Sequence, residues 1–313
     1  MTNQPRTRRW RAVAAVAVVG ALALAGCSDN GSDDVSTGGS DGGGDTPAQT
    51  IRISSQDFSE QKTLAQVYGQ YLEAKGFEVD IQEPIGTRTQ IYAALAADKV
   101  DLVLDYQGSA VVELGGTASS DADETHAALV KALEAKDLVA GAPSEAVDAN
   151  ALVALTSWAE DKGVTTISDL ADVEGPLTLG GAPECAERPD CLKGYTGDPY
   201  GLTLEFKAVD YGPPLVAALK ADEIQLAQYG TTAPEVSQGD IVVLEDDQGL
   251  QSAENVVPVL RAAVDSDELR KALDALSAKI TTDDLSAWNQ ATDVDKEDPA
   301  DVAQAWLEDQ GLL

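Results

Sequence analysis

The fold is decided by residues 51–105, which read IRISSQDFSEQKTLAQVYGQYLEAKGFEVDIQEPIGTRTQIYAALAADKVDLVLD. Alternating and continuous apolar runs are typical of strands, and apolar residues three or four apart are typical of helices. The spacing here predicts strand, helix, strand, helix and strand in turn, over Ile51–Ser55, Ser59–Lys75, Phe77–Ile81, Thr89–Asp98 and Val100–Asp105. This order is the signature of a parallel α/β sheet.

The remainder of the chain repeats this α/β pattern. A helix is predicted near residues 122–135, and a second α/β stretch begins near Asn150. Apolar or strand-like runs follow at residues 151–155, 177–181, 204–209, 224–229, 241–244 and 256–261, and further helices are predicted near residues 167–171, 213–221, 266–280, 283–290 and 300–310. The apolar fraction of 43% can build a substantial core, which fits one large domain or two small lobes.

The first residues have the pattern of an export signal. Four arginines and no acid precede the apolar run Ala12–Ala25, which is shorter than the roughly 20 apolar residues that span a bilayer. This arrangement is typical of a secretory signal peptide over residues 1–26. The junction Leu24-Ala25-Gly26-Cys27 resembles the lipobox of bacterial lipoproteins, in which the cysteine carries a diacylglycerol. An ordinary secreted protein and an uncleaved membrane helix are the alternatives.

A polar linker follows the cysteine. Residues 28–50 are mostly Gly, Ser, Asp and Asn, a composition that cannot bury enough apolar surface to fold. We therefore expect residues 27–50 to form a lipidated cysteine and a flexible tether. The protein would then be extracytoplasmic and anchored to the cell membrane by its lipid.

The charge of the chain excludes several classes of partner. The formal net charge is −33, and removing the four arginines of residues 1–26 leaves −37. Nucleic acids bind basic surfaces, so we expect no nucleic-acid partner. Anionic lipid headgroups are equally unsuited, so membrane contact is expected only through the lipid on Cys27.

The remaining cysteines and the single histidine limit the possible chemistry. Outside the cytosol, Cys185 and Cys191 are close enough in sequence to predict a disulfide, with two free thiols as the alternative. His126 is the only histidine and lies in a predicted helix, so Ser–His or Cys–His catalysis has little to draw on. We expect no metal, no cofactor and no enzymatic activity.

Several segments carry a resemblance to a known family, in the same order along the chain. They are Ser55-Gln-Asp-Phe-Ser-Glu-Gln61, Asp101-Leu-Val-Leu-Asp-Tyr-Gln-Gly-Ser109, Glu187-Arg-Pro-Asp190, Tyr200-Gly-Leu202, Leu215–Ala227, Tyr229-Gly-Thr231, Leu244–Gly249 and Asn255–Arg261. Together they resemble the glycine betaine, choline and carnitine binding proteins of bacterial ABC importers, and the resemblance covers residues 51–313.

The resemblance implies a fold and a mode of action. The family fold is a type II periplasmic-binding-protein fold, in which two α/β lobes joined by two crossovers close on a ligand like a hinge. On that template residues 51–148 and 233–313 form lobe 1, and residues 149–232 form lobe 2. We expect a monomer that delivers a small solute to an ABC permease.

The resemblance also implies ligand-binding residues. Tyr106 and Tyr229 stand at positions of cage tyrosines, which hold a quaternary ammonium by cation–π attraction. Ser109 stands for a threonine whose hydroxyl reaches the ligand. Gln56 and Arg188 stand where the family directs donors to the ligand carboxylate, a task that suits a guanidinium.

Two positions depart from the family pattern. Leu152 and Glu254 stand where further cage tyrosines are expected, so half of the aromatic cage is missing. Trp158 and Tyr200 are the aromatic residues that could compensate. The leading hypothesis is a binding protein for an osmoprotectant-like, quaternary ammonium or betaine-type solute. One alternative keeps the fold but binds an aromatic or polyol compound, and a remote alternative is a cell-surface hydrolase that uses paired carboxylates.

Overall fold

The computed structural model describes residues 49–313, and these fold as one unit of two sheets with helices on their faces. The strands are β1 (Ile51–Ile53), β2 (Val79–Ile81), β3 (Leu102–Tyr106), β4 (Leu138–Ala140), β5 (Asn150–Leu155), β6 (Leu177–Gly181), β7 (Leu204–Ala208), β8 (Leu226–Gly230), β9 (Ile241–Val243) and β10 (Val256–Arg261). The helices are α1 (Ser59–Ala74), α2 (Arg88–Ala96), α3 (Gln107–Glu113), α4 (Ala122–Glu134), α5 (Thr156–Lys162), α6 (Leu192–Thr196), α7 (Pro213–Lys220), α8 (Pro234–Ser237), α9 (Asp267–Ser277), α10 (Thr282–Asn289) and α11 (Pro299–Asp309).

Local sequence sets the ends of several helices. The side chains of Asp121, Ser266 and Thr281 each accept a backbone N–H in the first turn of the helix that follows, which satisfies a donor that the helix leaves free. Gly76 follows α1 with a φ of +91°, a conformation that costs a glycine little. The chain can therefore reverse there into β2.

The first sheet has the order β2-β1-β3-β10-β4. Strands β1, β2 and β3 are parallel, as their alternation with helices predicts. Strand β10 runs antiparallel to both β3 and β4, so the sheet is mixed and not wholly parallel as the sequence pattern indicated. Strand β10 enters the first sheet after the chain has passed through the second lobe, and it runs opposite to β1, β2 and β3.

The second sheet has the order β7-β6-β8-β5-β9. Strands β7, β6 and β8 are parallel, and β5 pairs antiparallel with both β8 and β9. Because β9 completes this sheet, the lobe boundary predicted at residue 233 is wrong for residues 241–243. The chain returns to the first sheet after β9.

Two crossover segments connect the lobes, and they run side by side. One joins β4 to β5 through residues 141–149, and the other joins β9 to β10 through residues 244–255. Val147 and Asn255 form an antiparallel bridge, and the Val256 N–H donates to the Ala146 carbonyl at 3.0 Å. The crossovers therefore form a short two-stranded hinge.

Apolar side chains cover both faces of each sheet. In the first lobe, α1, α9, α10 and α11 pack on one face, and α2, α3 and α4 contribute to the cluster on the other. Tyr68 of α1 is fully buried there, and its hydroxyl lies 2.9 Å from the Ser277 hydroxyl. In the second lobe Leu152 is fully buried in the core, so it is not available to contact a ligand.

Most predicted strands and helices are confirmed, including α1, β3, α7 and β10. Strand β4 and helices α3, α5, α6 and α8 were not predicted; all five elements have seven residues or fewer, and short segments give little periodicity. The predicted signal peptide, Cys27 and most of the tether lie outside the described residues. Within residues 49–313 no helix is long and apolar enough to cross a membrane.

The predicted disulfide joins Cys185 to Cys191, whose Cα atoms lie 5.3 Å apart. Both cysteines are buried in the core of the second lobe. The bond closes the loop that carries Arg188.

We expect loss of this disulfide to lower the free energy of unfolding by about 2 kcal/mol, because the cross-link restricts the unfolded chain. Urea denaturation of the Cys185→Ser/Cys191→Ser variant measures the loss. Reduced wild-type protein is the control, since it lacks the bond but keeps both sulfur atoms. Equal stability of the oxidised and reduced wild type would contradict the expectation.

Candidate functional site

Two cavities lie between the lobes. The first has a volume of about 570 Å³ and the second about 400 Å³. Both are lined by segments that follow the carboxyl ends of parallel strands, where α/β proteins usually bind ligands. Asp57–Lys62 after β1 and Tyr211–Pro213 after β7 line the first cavity. Arg88 after β2 and Ser109 after β3 line the second.

Two carboxyl groups stand at the base of the first cavity. Glu60 lies in the first turn of α1 and is 3% exposed, and Asp148 lies on the first crossover. The Tyr106 hydroxyl donates to Glu60 Oε1, and Asn289 Nδ2 donates to Glu60 Oε2 at 2.6 Å. The Thr232 hydroxyl donates to Asp148 Oδ1 at 3.0 Å. Each carboxyl group therefore has at least one neutral hydrogen-bond donor.

Among residues 49–313, no arginine lines the first cavity. Its one basic side chain among the described residues, Lys62, lies 2.7 Å from the Asp57 carboxylate on the rim. Five acidic side chains line the same space: Asp57, Glu60, Asp148, Glu235 and Asp293. The cavity is therefore electronegative and favours a positively charged occupant.

Burial and mutual repulsion change how these acids titrate. Burial, and then the charge of Glu60, raises the pKa of Asp148 to about 7 from an ordinary value of 3.8. Burial also raises the pKa of Glu60, although hydrogen bonds from Tyr106 and Asn289 oppose that rise. Glu254 on the other crossover adds to the repulsion at Asp148. The two carboxyl groups consequently titrate as an interacting pair.

Two tyrosines form an aromatic wall of the first cavity. The rings of Tyr211 and Tyr229 stack with centroids 4.8 Å apart and an interplanar angle of 20°. Tyr229 is only 2% exposed, whereas Tyr211 is 60% exposed. One face of Tyr229 is thus covered by Tyr211, and the accessible aromatic surface comes from Tyr211 together with Phe58, which is 41% exposed and lines the same cavity.

The second cavity collects three of the residues that the sequence singled out. Ser109, Arg188 and Glu254 all line it. The backbone N–H and hydroxyl of Ser109 donate to the Glu254 carboxylate at 2.9 and 3.0 Å. Glu254 also accepts from the Ser252 hydroxyl at 2.9 Å, so its carboxylate is already hydrogen-bonded to neighbouring residues.

Both arginines of the second cavity are paired with acids. Arg188 donates through Nε to Asp190 Oδ1 at 3.0 Å and also contacts Asp190 through Nη2. Arg88 Nε contacts both carboxylate oxygens of Asp105, at 2.9 and 3.1 Å. Their charges are therefore largely compensated before any ligand arrives.

The structure divides the predicted site residues between several places. Tyr229 lines the first cavity, while Tyr106 is buried and reaches that cavity through its bond to Glu60. Gln56 is 9% exposed and lines neither cavity, and Leu152 belongs to the core.

The two compensating aromatics proposed from sequence also lie elsewhere. The Tyr200 hydroxyl contacts Asp246, and Trp158 packs against the core of the second lobe. Neither residue lines the two cavities.

Sequence reasoning missed Asp148, Thr232, Tyr211 and Asn289 as site residues. Glu60 stood within a quoted motif but received no role. Tyr211 carried a usable signal, because an aromatic residue between a strand and a helix of an α/β lobe can lie at the carboxyl edge of the sheet. The partnership of Glu60 with Asn289 joins residues 229 positions apart and left no local pattern.

Comparison with known proteins bears on this arrangement. The sequence model of the family described as "Substrate binding domain of ABC-type glycine betaine transport system" matches residues 49–309.

The chain belongs to this family.

Members of this substrate-binding family serve transport rather than catalysis, and characterised relatives agree with the assignment. A glycine-betaine-binding protein of Pseudomonas aeruginosa is 28% identical over 281 residues, which are 85% of this chain and 89% of the relative. The carnitine transport binding protein OpuCC of Listeria monocytogenes is 25% identical over 280 residues, covering 85% and 88%.

Solved structures share the fold. Apo YehZ from Escherichia coli has a TM-score of 0.73 at 22% identity, covering 85% of this chain and all of that one. A glycine betaine/carnitine/choline ABC transporter structure has a TM-score of 0.77 at 20% identity, covering 84% and 98%. The two-lobed α/β fold is therefore confirmed.

We expect Asp148 to make stability depend on pH. Between about pH 4 and 7 the folded protein keeps the Asp148 proton that the unfolded chain releases, so the free energy of unfolding falls as pH rises. Asp148→Asn removes this contribution. Between pH 5 and pH 8 the variant should lose about 2–3 kcal/mol less than wild type in urea denaturation.

Asp293→Asn is the matched control, because Asp293 is an exposed acid on the rim of the same cavity. That variant should follow the wild-type pH dependence. An Asp148→Asn variant with the wild-type slope would show that the burial of Asp148 does not govern the effect.

Proposed function

We propose that the protein captures a small organic cation of the osmoprotectant type between its lobes and delivers it to an ABC importer. The first cavity carries this proposal, because it combines an accessible aromatic face with the buried carboxyl group of Glu60 and the half-buried carboxyl group of Asp148. Such a cavity attracts a positive nitrogen centre both through the ring quadrupole and through charge.

The hinge supplies the means of capture. The cavity takes residues from both lobes, with Glu60 on one side and Tyr211 on the other, and Asp148 on a crossover between them. A ligand that contacts all three stabilises the closed arrangement of the lobes by its extra contacts. Closing on the solute then marks the loaded protein for the permease.

The relatives indicate the solute class. They bind glycine betaine or carnitine, according to their names, and two further solved structures of similar fold are complexes with glycine betaine and choline. All three solutes carry a quaternary nitrogen. We propose a ligand of similar size with a cationic nitrogen, and we assign its contacts to Tyr211, Glu60 and Asp148.

The residues first predicted keep a supporting role in this proposal. Tyr106 holds Glu60 in place, and Tyr229 supports the ring of Tyr211 from behind. Ser109, Arg188 and Glu254 would line the adjoining space of the cleft, where Arg188 would serve a larger solute. Because Leu152 and Glu254 replace cage tyrosines, an aromatic or polyol ligand is the alternative within the same fold.

Location and partners complete the proposal. A lipid on Cys27 and the polar linker would keep a monomeric protein near the outer face of the membrane, which raises its concentration at the permease. The lipobox pattern Leu24–Cys27 supports this anchor. A hydrolase would also use paired carboxyl groups, but membership of a transport family favours binding without turnover.

We expect Tyr211→Ala to weaken binding of the best-bound cation by about tenfold, the loss of one good cation–π contact. Isothermal calorimetry with glycine betaine, choline, carnitine and ectoine gives the affinities. Tyr211→Phe is the control, because it keeps the aromatic ring and should stay within about twofold of wild type. If no small solute binds the wild-type protein, the transport function is wrong; if Tyr211→Ala binds normally, the ligand lies elsewhere.

A further inference from the structure

The first cavity has an unusual balance of hydrogen-bonding groups. Asn289 is 7% exposed and lines the cavity, and its Nδ2 donates to Glu60 and to Thr232. Its carbonyl oxygen Oδ1 is buried and accepts no hydrogen bond from any described residue. An unpaired buried acceptor is unfavourable, so this end of the cavity is short of hydrogen-bond donors.

The neighbouring carboxyl groups also accept hydrogen bonds, although Asp148, whose pKa is about 7, is fully an acceptor only above that pH. The carboxyl groups of Glu60 and Asp148 face the same space, and the donors that the protein offers them, from Tyr106, Asn289 and Thr232, are already used. The cavity therefore holds more acceptor capacity than the protein satisfies. A fully methylated nitrogen has no N–H and cannot supply the missing donor.

The aromatic wall also favours a ligand with an N–H donor over a fully methylated one. The Tyr211 and Tyr229 rings lie face to face at 4.8 Å, so no ligand can enter between them. A quaternary ammonium gains most when several rings surround its methyl groups, as in an aromatic cage. Here Tyr211 and Phe58 are the aromatic residues with exposed surface, too few to surround a trimethylated nitrogen, while charge and acceptors dominate the rest of the wall.

A ligand carboxylate finds little support in the cleft. Lys62 is paired with Asp57 in the first cavity, and Arg88 and Arg188 are paired with Asp105 and Asp190 in the second. A carboxylate placed near Glu60 and Asp148 would be repelled by both. The lining thus disfavours a zwitterion and favours a cation without a negative group.

We propose that the first cavity selects small organic cations that carry an N–H donor and no carboxylate, with protonated tertiary amino alcohols as the fitting class. The ammonium N–H donates to Asp148, and the methyl groups lie on the face of Tyr211. This inference rests on the proposed function, since it names the preferred solute of the same site.

Four commercially available solutes separate the effect of the N–H donor from the effect of the carboxylate. Dimethylethanolamine and choline differ only in N–H against N–CH₃, and dimethylglycine and glycine betaine repeat that difference in the presence of a carboxylate. Calorimetry near pH 7, where the tertiary amines are protonated, should give dimethylethanolamine the highest affinity. We expect at least a tenfold advantage over choline, and a similar advantage of dimethylglycine over betaine, which amounts to about 1.4 kcal/mol in each pair.

Variants test the assignment to Asp148. Asp148→Asn has nearly the same shape and can still accept from Thr232, but it loses the charge that attracts the N–H. The ratio of dimethylethanolamine to choline affinity should fall to about one in this variant. It should be unchanged in Asp172→Asn, which removes an exposed acid of the second lobe that lines neither cavity. Thermal unfolding of both variants confirms that they are folded.

The outcomes separate this inference from the proposed function. Tighter binding of choline and betaine than of their N–H partners overturns the selectivity but leaves a cation-binding transport protein. A preference for N–H ligands that persists unchanged in Asp148→Asn overturns the assignment to Asp148. If none of the four solutes binds, both the inference and the proposed cation-binding function fail.

Discussion

The placement of Glu60 and Asp148 where the lobes meet constrains the rest of the structure. A buried carboxyl group is costly unless donors surround it or a proton neutralises it, so the neighbouring elements must supply both. Tyr106 ends β3, Asn289 ends α10 and Thr232 follows β8, and all three direct donors to this pair. The N-terminus of α1, both sheets and the first crossover are thereby fixed relative to one another. The raised pKa of Asp148, about 7, shows that the donors do not fully compensate the burial. A positively charged ligand would supply the remaining compensation for these carboxyl groups.

The topology explains why these groups meet. Parallel strands β1, β2 and β3 direct their carboxyl ends to one edge of the first sheet, and β6, β7 and β8 do the same in the second. Paired crossovers hold these two edges face to face, through contacts such as the Val147–Asn255 bridge. The surface charge acts on a larger scale, because a chain with a formal charge of −33 attracts cations toward the cleft. Long-range attraction, the acidic cavity and the accessible Tyr211 ring therefore favour the same sign of ligand.

Sequence periodicity predicted the longer elements and the two-lobed class well, because α1, β3 and β10 each bury a face that leaves a clear apolar pattern. It could not predict that β9 completes the second sheet, since pairing with β5 depends on tertiary contacts. Site prediction worked least well where side chains from distant segments meet. Ser109, Arg188 and Glu254 do gather in one cavity, but internal partners occupy them. Tyr211 and Asp148 came from loops without periodicity, and only the fold places them beside Glu60.

The central claim is that the first cavity, and not the second, holds the cationic nitrogen of the solute. A crystal structure of the protein with its tightest-binding solute tests this directly. The account predicts the nitrogen within about 6 Å of the Tyr211 ring centroid and within about 4 Å of a carboxylate oxygen of Glu60 or Asp148. A nitrogen bound beside Glu254 and Arg188, with Tyr211 free of contact, would contradict it.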